Sequence, residues 1–172
     1  IQQEDAKYKL KRHKKTGKKA KHGYEPLYTT EDAQNAVNLI EPVAYHKPVD
    51  LGNGITATFH ESGHILGSAF IEINIKEGDK ERTLVMSGDV GQWDKPLIND
   101  PELFDRADYI VMESTYGDRL HKDSGSIEDQ LADIINDAVE RGGNVVIPTF
   151  AVERAQELVY FIGQLADADR IP

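Results

Sequence analysis

The chain has 172 residues, 39% of them hydrophobic, and a net charge of -10. It contains no cysteine, which excludes disulfides, thiolate metal sites and cysteine nucleophiles. No apolar run approaches the ~18 residues of a membrane span and no signal peptide is visible, so a soluble, cytoplasmic protein is expected.

The charge is divided. Residues 1–22 carry nine Lys and Arg against Glu4 and Asp5, or +7, and the other 150 residues carry 11 basic and 28 acidic side chains, or -17. Tyr8 is the only aromatic within the basic run. The run therefore reads as a solvated segment, with nucleic-acid binding as the alternative. The acidic remainder does not exclude a phosphodiester substrate, because bound metal ions invert the local field. A start at Ile1 without an initiator Met, and an end at Pro172 inside apparent structure, read as a fragment.

Residues 1–24 read as a polar helix or a loose connector. Thr29 or Thr30 can cap a short helix over about 31–40, with Glu31 and Asp32 in its first turn and Pro42 as its stop. Strands are expected over about 43–51, 55–61, 69–76 and 82–88. Gly52-Asn53-Gly54 forms the turn between the first two, and Glu77-Gly78-Asp79-Lys80-Glu81 the turn between the last two. Ile71, Ile73 and Ile75 alternate with Glu72 and Asn74, so one face should be buried and the other wetter. Residues 90–108 read as a long loop. Tyr109-Ile110-Val111-Met112 is continuous and apolar, which suits a strand covered on both faces.

The character changes after about 118, where Asp118, Lys122, Asp123, Ser124 and Gly125 resemble a linker. Ile127, Leu131, Ile134, Ile135 and Ala138 keep helical spacing over about 126–141, and Gly142-Gly143 ends that helix. Val145-Val146-Ile147 reads as a buried strand. A second helix is expected over Ala151–Ala166, with Leu158, Phe161, Ile162 and Leu165 on its core face. Helix, strand and helix in that order resemble part of a wound α/β unit.

Two residues carry most of the chemistry. His64 lies between Gly63 and Gly67, and Asp89 follows Ser87-Gly88. If the strands between them form an antiparallel hairpin, both leave the end opposite its turn. An imidazole and a carboxylate meeting there suit a divalent metal, although two ligands are too few for a closed site. Asp89 reads as a carboxylate able to bridge two ions, which would help them lower the pKa of a shared water. Glu113 follows a strand and reaches the rim where ligands bind in such sheets, so it reads as supporting the site or facing substrate. Tyr116 reads equally as a core aromatic or a substrate contact. Arg154 opens a helix, where it can add charge for phosphate, or pair with Glu153 or Glu157. His60 and His121 read as surface residues rather than ligands. His13, His22 and His46 carry no usable signal.

Ser62-Gly63-His64-Ile65-Leu66-Gly67-Ser68-Ala69, Ser87-Gly88-Asp89, Glu113-Ser114-Thr115-Tyr116-Gly117 and Gly142–Ala151, in this order and spacing, resemble the metallo-β-lactamase-fold nucleases of the β-CASP group. The forms around His64 and Glu113 resemble its RNA-processing branch. The resemblance runs from about residue 25 onward and includes Pro26-Leu27-Tyr28-Thr29. It implies an αββα sandwich holding two zinc ions, with a β-CASP domain inserted as a lid. His64 matches a ligand of one zinc, Asp89 the aspartate bridging both, and Glu113 the first acidic motif of the group. Glu153 departs from the glycine found in many relatives.

The group's main zinc motif, His-x-His-x-Asp-His, is absent from this sequence. The resemblance thus implies an α/β fragment. Residues 1–118 correspond to part of the lactamase-like domain, with 1–24 as a basic connector, and 119–172 to the opening helix–strand–helix of the β-CASP domain. The expected function of the intact protein is zinc-dependent hydrolysis of RNA, with exonuclease and endonuclease action both open. Another hydrolase of this fold, acting on DNA or a small ester, and a noncatalytic scaffold are the alternatives. RNA is the expected partner, and a homo-oligomer is left open. The chain by itself is expected to be inactive and to bind metal weakly.

Overall fold

The computed structural model describes residues 1–17, 24–120 and 125–172. They form two compact units, Ile1–Val43 and Ala44–Pro172. The expected linker residues Lys122, Asp123 and Ser124, together with His121, His22, Lys18, Lys19 and Lys21, lie outside the described residues.

The first unit contains two helices, α1 (Gln2–Thr16) and α2 (Thr30–Val37). Helix α1 places Glu4 and Asp5 in its first turn and His13, Lys14 and Lys15 in its last, complementing the backbone dipole at both ends. It buries no residue, which fits the solvated reading of the basic run. Gly17 ends it in the left-handed conformation, at φ 65°. Helix α2 starts with a capping box: Thr29 Oγ1 accepts from the Asp32 amide, and Asp32 accepts from the Thr29 amide. It stops at Asn38, short of the expected residue 40.

The second unit is built on one five-stranded sheet: β1 (Val49–Gly52), β2 (Ile55–Glu61), β3 (Ala69–Glu77), β4 (Lys80–Met86) and β5 (Tyr109–Val111). The strands lie in chain order, β1 to β4 antiparallel and β5 parallel to β4. The β3–β4 hairpin turns at Gly78-Asp79, with Glu77 opposite Lys80, as its turn residues predict. Strand β1 begins later than expected, at Val49, because His46 takes a positive φ of 59° in the turn before it.

The alternation of faces is real, but burial does not follow the expected division. Ile71, Ile73 and Ile75 are half-buried, whereas Phe70 and Val85, on the other face, are buried. Phe104 packs edge-on against Phe70 there, at 5.7 Å between rings, which explains the burial on that side. Strand β5 also differs from expectation. It pairs with β4 along one edge only, and Tyr109, Ile110 and Val111 are exposed rather than covered on both faces.

Helices α3 (Ile127–Glu140) and α4 (Arg154–Asp167) match the periodicity. Ser126 caps α3 by accepting from the Asp129 amide. The pair shares a core of Leu131, Ala132 and Leu165, with Leu158, Phe161 and Ile171 packed against it. The strand expected at Val145–Ile147 does not form, and Val146 is 87% exposed. An apolar run becomes a buried strand only where a neighbour satisfies its backbone, and none pairs with it among the described residues. Among those residues, no helix is long and apolar enough to cross a membrane.

Candidate active site at the sheet end

His64 and Asp89 meet. His64 Nε2 lies 3.6 Å from Asp89 Oδ2, and both side chains are exposed. The register explains the encounter. Ile71 pairs with Met86, so the chain preceding β3 and the chain following β4 leave the same end of the hairpin.

Ser68 organises the loop carrying His64. Its Oγ accepts from the His64 amide at 3.2 Å, the Ile65 amide at 3.1 Å and the Ser62 hydroxyl at 2.9 Å. Ser62 is fully buried, so this bond satisfies a hydroxyl that water cannot reach. Tyr45 Oη donates to the Ser68 carbonyl at 2.7 Å from outside the loop. The motif around His64 is thus a wound turn with serine at each end.

Two glycines press this loop onto its neighbours. The Gly91 amide donates to the Ser62 carbonyl at 2.9 Å, and a Cβ on Gly91 would fall 1.8 Å from the Gly63 oxygen. Gly63 has φ 65° and lies against buried Pro101, where a Cβ would come within 2.7 Å of the proline ring. The loops bearing His64 and Asp89 therefore touch backbone to backbone.

Glu113 sits just beyond β5 and reaches back to the Asp89 loop. Its Oε1 accepts from the Val90 amide at 2.6 Å, and its Oε2 from Thr115 Oγ1 at 2.7 Å. Its own amide donates to buried Ser87 Oγ at 3.0 Å. The Thr115 hydroxyl, then the Val90 amide, hold the Glu113 carboxyl below the usual glutamate range, with a smaller contribution from His64.

The remaining candidates have other partners. Tyr116 is exposed, with the Arg119 guanidinium 5.8 Å from its ring. Arg154 pairs with Glu157 at 2.5 Å, one of the two pairings its sequence position allows, and buried Glu157 also receives Lys95 at 2.8 Å. His60 is not a surface residue. Its side chain is only 16% exposed and lies between Glu72 and Glu102. His46, without a usable signal in the sequence, joins it through Glu102.

The chain is 39% identical over 138 residues to ribonuclease TTHA0252 of Thermus thermophilus, a match covering 80% of this chain and 31% of that protein. It is 33% identical over 141 residues to endoribonuclease YSH1 of Eremothecium gossypii, covering 81% of this chain and 18% of the relative. It is 35% identical over 159 residues to the transcription termination factor FttA of a Lokiarchaeum species, covering 88% and 24%. The chain thus spans about a third or less of the length of these relatives. No family model matches it.

Proposed function

Because this chain belongs to the RNA-processing nucleases of the metallo-β-lactamase, β-CASP group, we propose that it carries part of the catalytic centre of a zinc-dependent ribonuclease. Residues 1–118 would belong to the lactamase-like sandwich and 119–172 to the start of the β-CASP domain. The observation that carries this reading is the 3.6 Å approach of His64 Nε2 to Asp89 Oδ2 at an exposed sheet end.

The donor set fits a zinc centre. A neutral imidazole and a carboxylate are both ordinary zinc ligands, and the pair faces solvent. In this reading His64 would be a ligand of one ion and Asp89 would be shared by two. Zinc held there would supply Lewis-acid stabilisation of the phosphate and lower the pKa of a shared water.

The chain's own residues do the positioning. Ser68 fixes the backbone on either side of the imidazole. Glu113 fixes the turn of Asp89 through the Val90 amide. Tyr116 is exposed with Arg119 over its ring, and in this reading the two would meet RNA together. Arg154 spends Nη1 on Glu157 and is half exposed, so its remaining donors can still meet a phosphate.

In the intact parent protein, Asp89→Ala should abolish both zinc retention and cleavage of labelled RNA. Unchanged metal content on elemental analysis would remove Asp89 from the ligand set. Cleavage of labelled DNA or of a small ester, with RNA left intact, would overturn the substrate class. His64 and Asp89 are too few to hold zinc tightly by themselves, so the 172-residue chain should show no nuclease activity.

A further inference from the structure

His46, His60 and Glu102 come from three separate stretches and converge on one another, sharing no residue with the His64–Asp89 pair. The His46 amide donates to the Phe59 carbonyl at 2.9 Å, which pins its turn beside β2 beyond the end of β1. Glu102 docks next to it. Its amide donates to the Glu61 carbonyl at 3.0 Å, and its Oε1 accepts from the Glu61 amide at 2.9 Å. Its two oxygens then divide between the imidazoles: Oε1 lies 3.2 Å from His46 Nε2 and Oε2 lies 3.2 Å from His60 Nδ1. One ligand atom from each of the three residues falls within 4.8 Å of the others. The two imidazole rings stand edge to face, 5.3 Å apart.

We propose that His46, His60 and Glu102 form a second divalent-metal site, chemically suited to zinc and distinct from His64–Asp89. Two imidazole nitrogens and one carboxylate oxygen make a nitrogen–oxygen donor set of the kind zinc takes when a fourth position stays open to water. The cluster lines an open pocket of about 540 Å³, so a fourth ligand can enter.

His60 carries the strongest argument. Its Nδ1 faces Glu102, while its Nε2 is buried without a hydrogen bond among the described residues and lies 3.2 Å from Glu72 Oε2. A metal on Nδ1 fixes the proton on Nε2, and Glu72 Oε2, 3.2 Å away, can accept that proton once the ring turns towards it. A carboxylate behind a ligating imidazole orients the ring and raises its basicity. The charge around the pocket also favours a cation: Glu72, Glu81, Glu102 and Asp105 line it against Arg106 alone, apart from the two histidines.

The site would act as a clip. It joins the turn before β1, the end of β2 and the loop after Pro101, segments that hydrogen bonds and the Phe104 ring on His60 already bring together. It does not depend on the function proposed above.

The test titrates the 172-residue chain with Zn²⁺ by calorimetry and thermal melting, and with Co²⁺ by visible absorption. The variants are His46→Gln, Glu102→Gln, Glu72→Gln and the double variant His64→Ala/Asp89→Ala. We expect tetrahedral Co²⁺ bands and a Zn²⁺-dependent rise in Tm that survive in the double variant and are lost in His46→Gln and Glu102→Gln. Glu72→Gln should weaken binding about 10-fold. His46 is exposed, so its variant keeps the test readable if Glu102→Gln fails to fold. Absence of metal binding by the unmodified chain would overturn the proposal. So would binding that persists in His46→Gln and disappears in the double variant.

Discussion

Glu113 Oε1 accepts the Val90 amide at 2.6 Å, and this bond joins the end of β5 to the residue immediately after Asp89. The carboxylate acts on the candidate ligand through the backbone rather than by touching it. Glu113→Ala should therefore loosen the Asp89 turn without altering the sheet. Amide exchange at Val90 should accelerate while exchange in β3 and β4 stays as it was. In the intact parent, metal affinity or activity should fall about 10–100-fold, the usual cost of removing a group that orients a ligand. Glu113→Gln keeps a carbonyl acceptor for Val90 and should recover much of the loss. Equal metal affinity in the alanine variant and the parent would remove this positioning role.

Gly91 allows the two ligand-bearing loops to touch. A side chain has no room there: a Cβ would stand 1.8 Å from the Gly63 oxygen, and the obstruction is backbone that cannot swing aside. Gly91→Ala must force the loops apart and break the Gly91–Ser62 hydrogen bond. The expected cost is about 3 kcal/mol, at the upper end of overpacking penalties. Urea denaturation of the chain measures it, and a loss below about 0.5 kcal/mol, the range of neutral surface changes, would contradict the close approach.

The convergence of His64 and Asp89 is legible in the sequence because a hairpin has only two ends. Once the turn is placed at Gly78-Asp79, antiparallel pairing puts the start of β3 and the end of β4 together at the opposite end. Helices α3 and α4 are legible for the same kind of reason, since their periodicity is local. The cluster of His46, His60 and Glu102 is not legible. Its members are brought together by a positive φ at His46 and by a loop docking on Glu61, and neither leaves a periodic trace. Val145–Ile147 fails in the opposite direction. Its composition permits a buried strand, but burial depends on a partner that the run itself does not specify.

Helix α2 should lose its start in acid. The Thr29 amide and, next, the Thr29 hydroxyl lower the Asp32 carboxyl below the usual aspartate range. A depressed pKa in the folded state means stability that is present above the unfolded value and lost as pH falls through the folded one. The Thr29 amide resonance should therefore follow Asp32 protonation, in a window displaced to the acid side of an ordinary aspartate. Asp32→Asn should flatten that titration by NMR. Thr29→Ala should remove the other half of the box and cost about 1 kcal/mol of local helix stability. A Thr29 amide that titrates unchanged in Asp32→Asn would exclude the capping box as its cause.

Glu153 opens α4 from a conformation that side chains avoid. Its φ is 70° and ψ -74°, a tight turn in which the Arg154 amide donates to the Val152 carbonyl. Both of its carboxylate oxygens are buried without a hydrogen-bond partner among the described residues. Backbone strain of this kind costs about 1–3 kcal/mol, and an unpaired buried carboxylate adds a desolvation penalty. Glycine takes the same φ without strain, although it gives back about 0.5–1 kcal/mol through the greater freedom of the unfolded chain. Glu153→Gly should therefore stabilise the chain by about 1 kcal/mol or more, seen as a raised Tm. Glu153→Ala separates the two causes, because it removes the carboxylate and keeps the strain. If alanine stabilises as much as glycine, the buried carboxyl group is the whole effect. A lower Tm in both variants would mean that the carboxylate has a partner worth more than the strain it imposes.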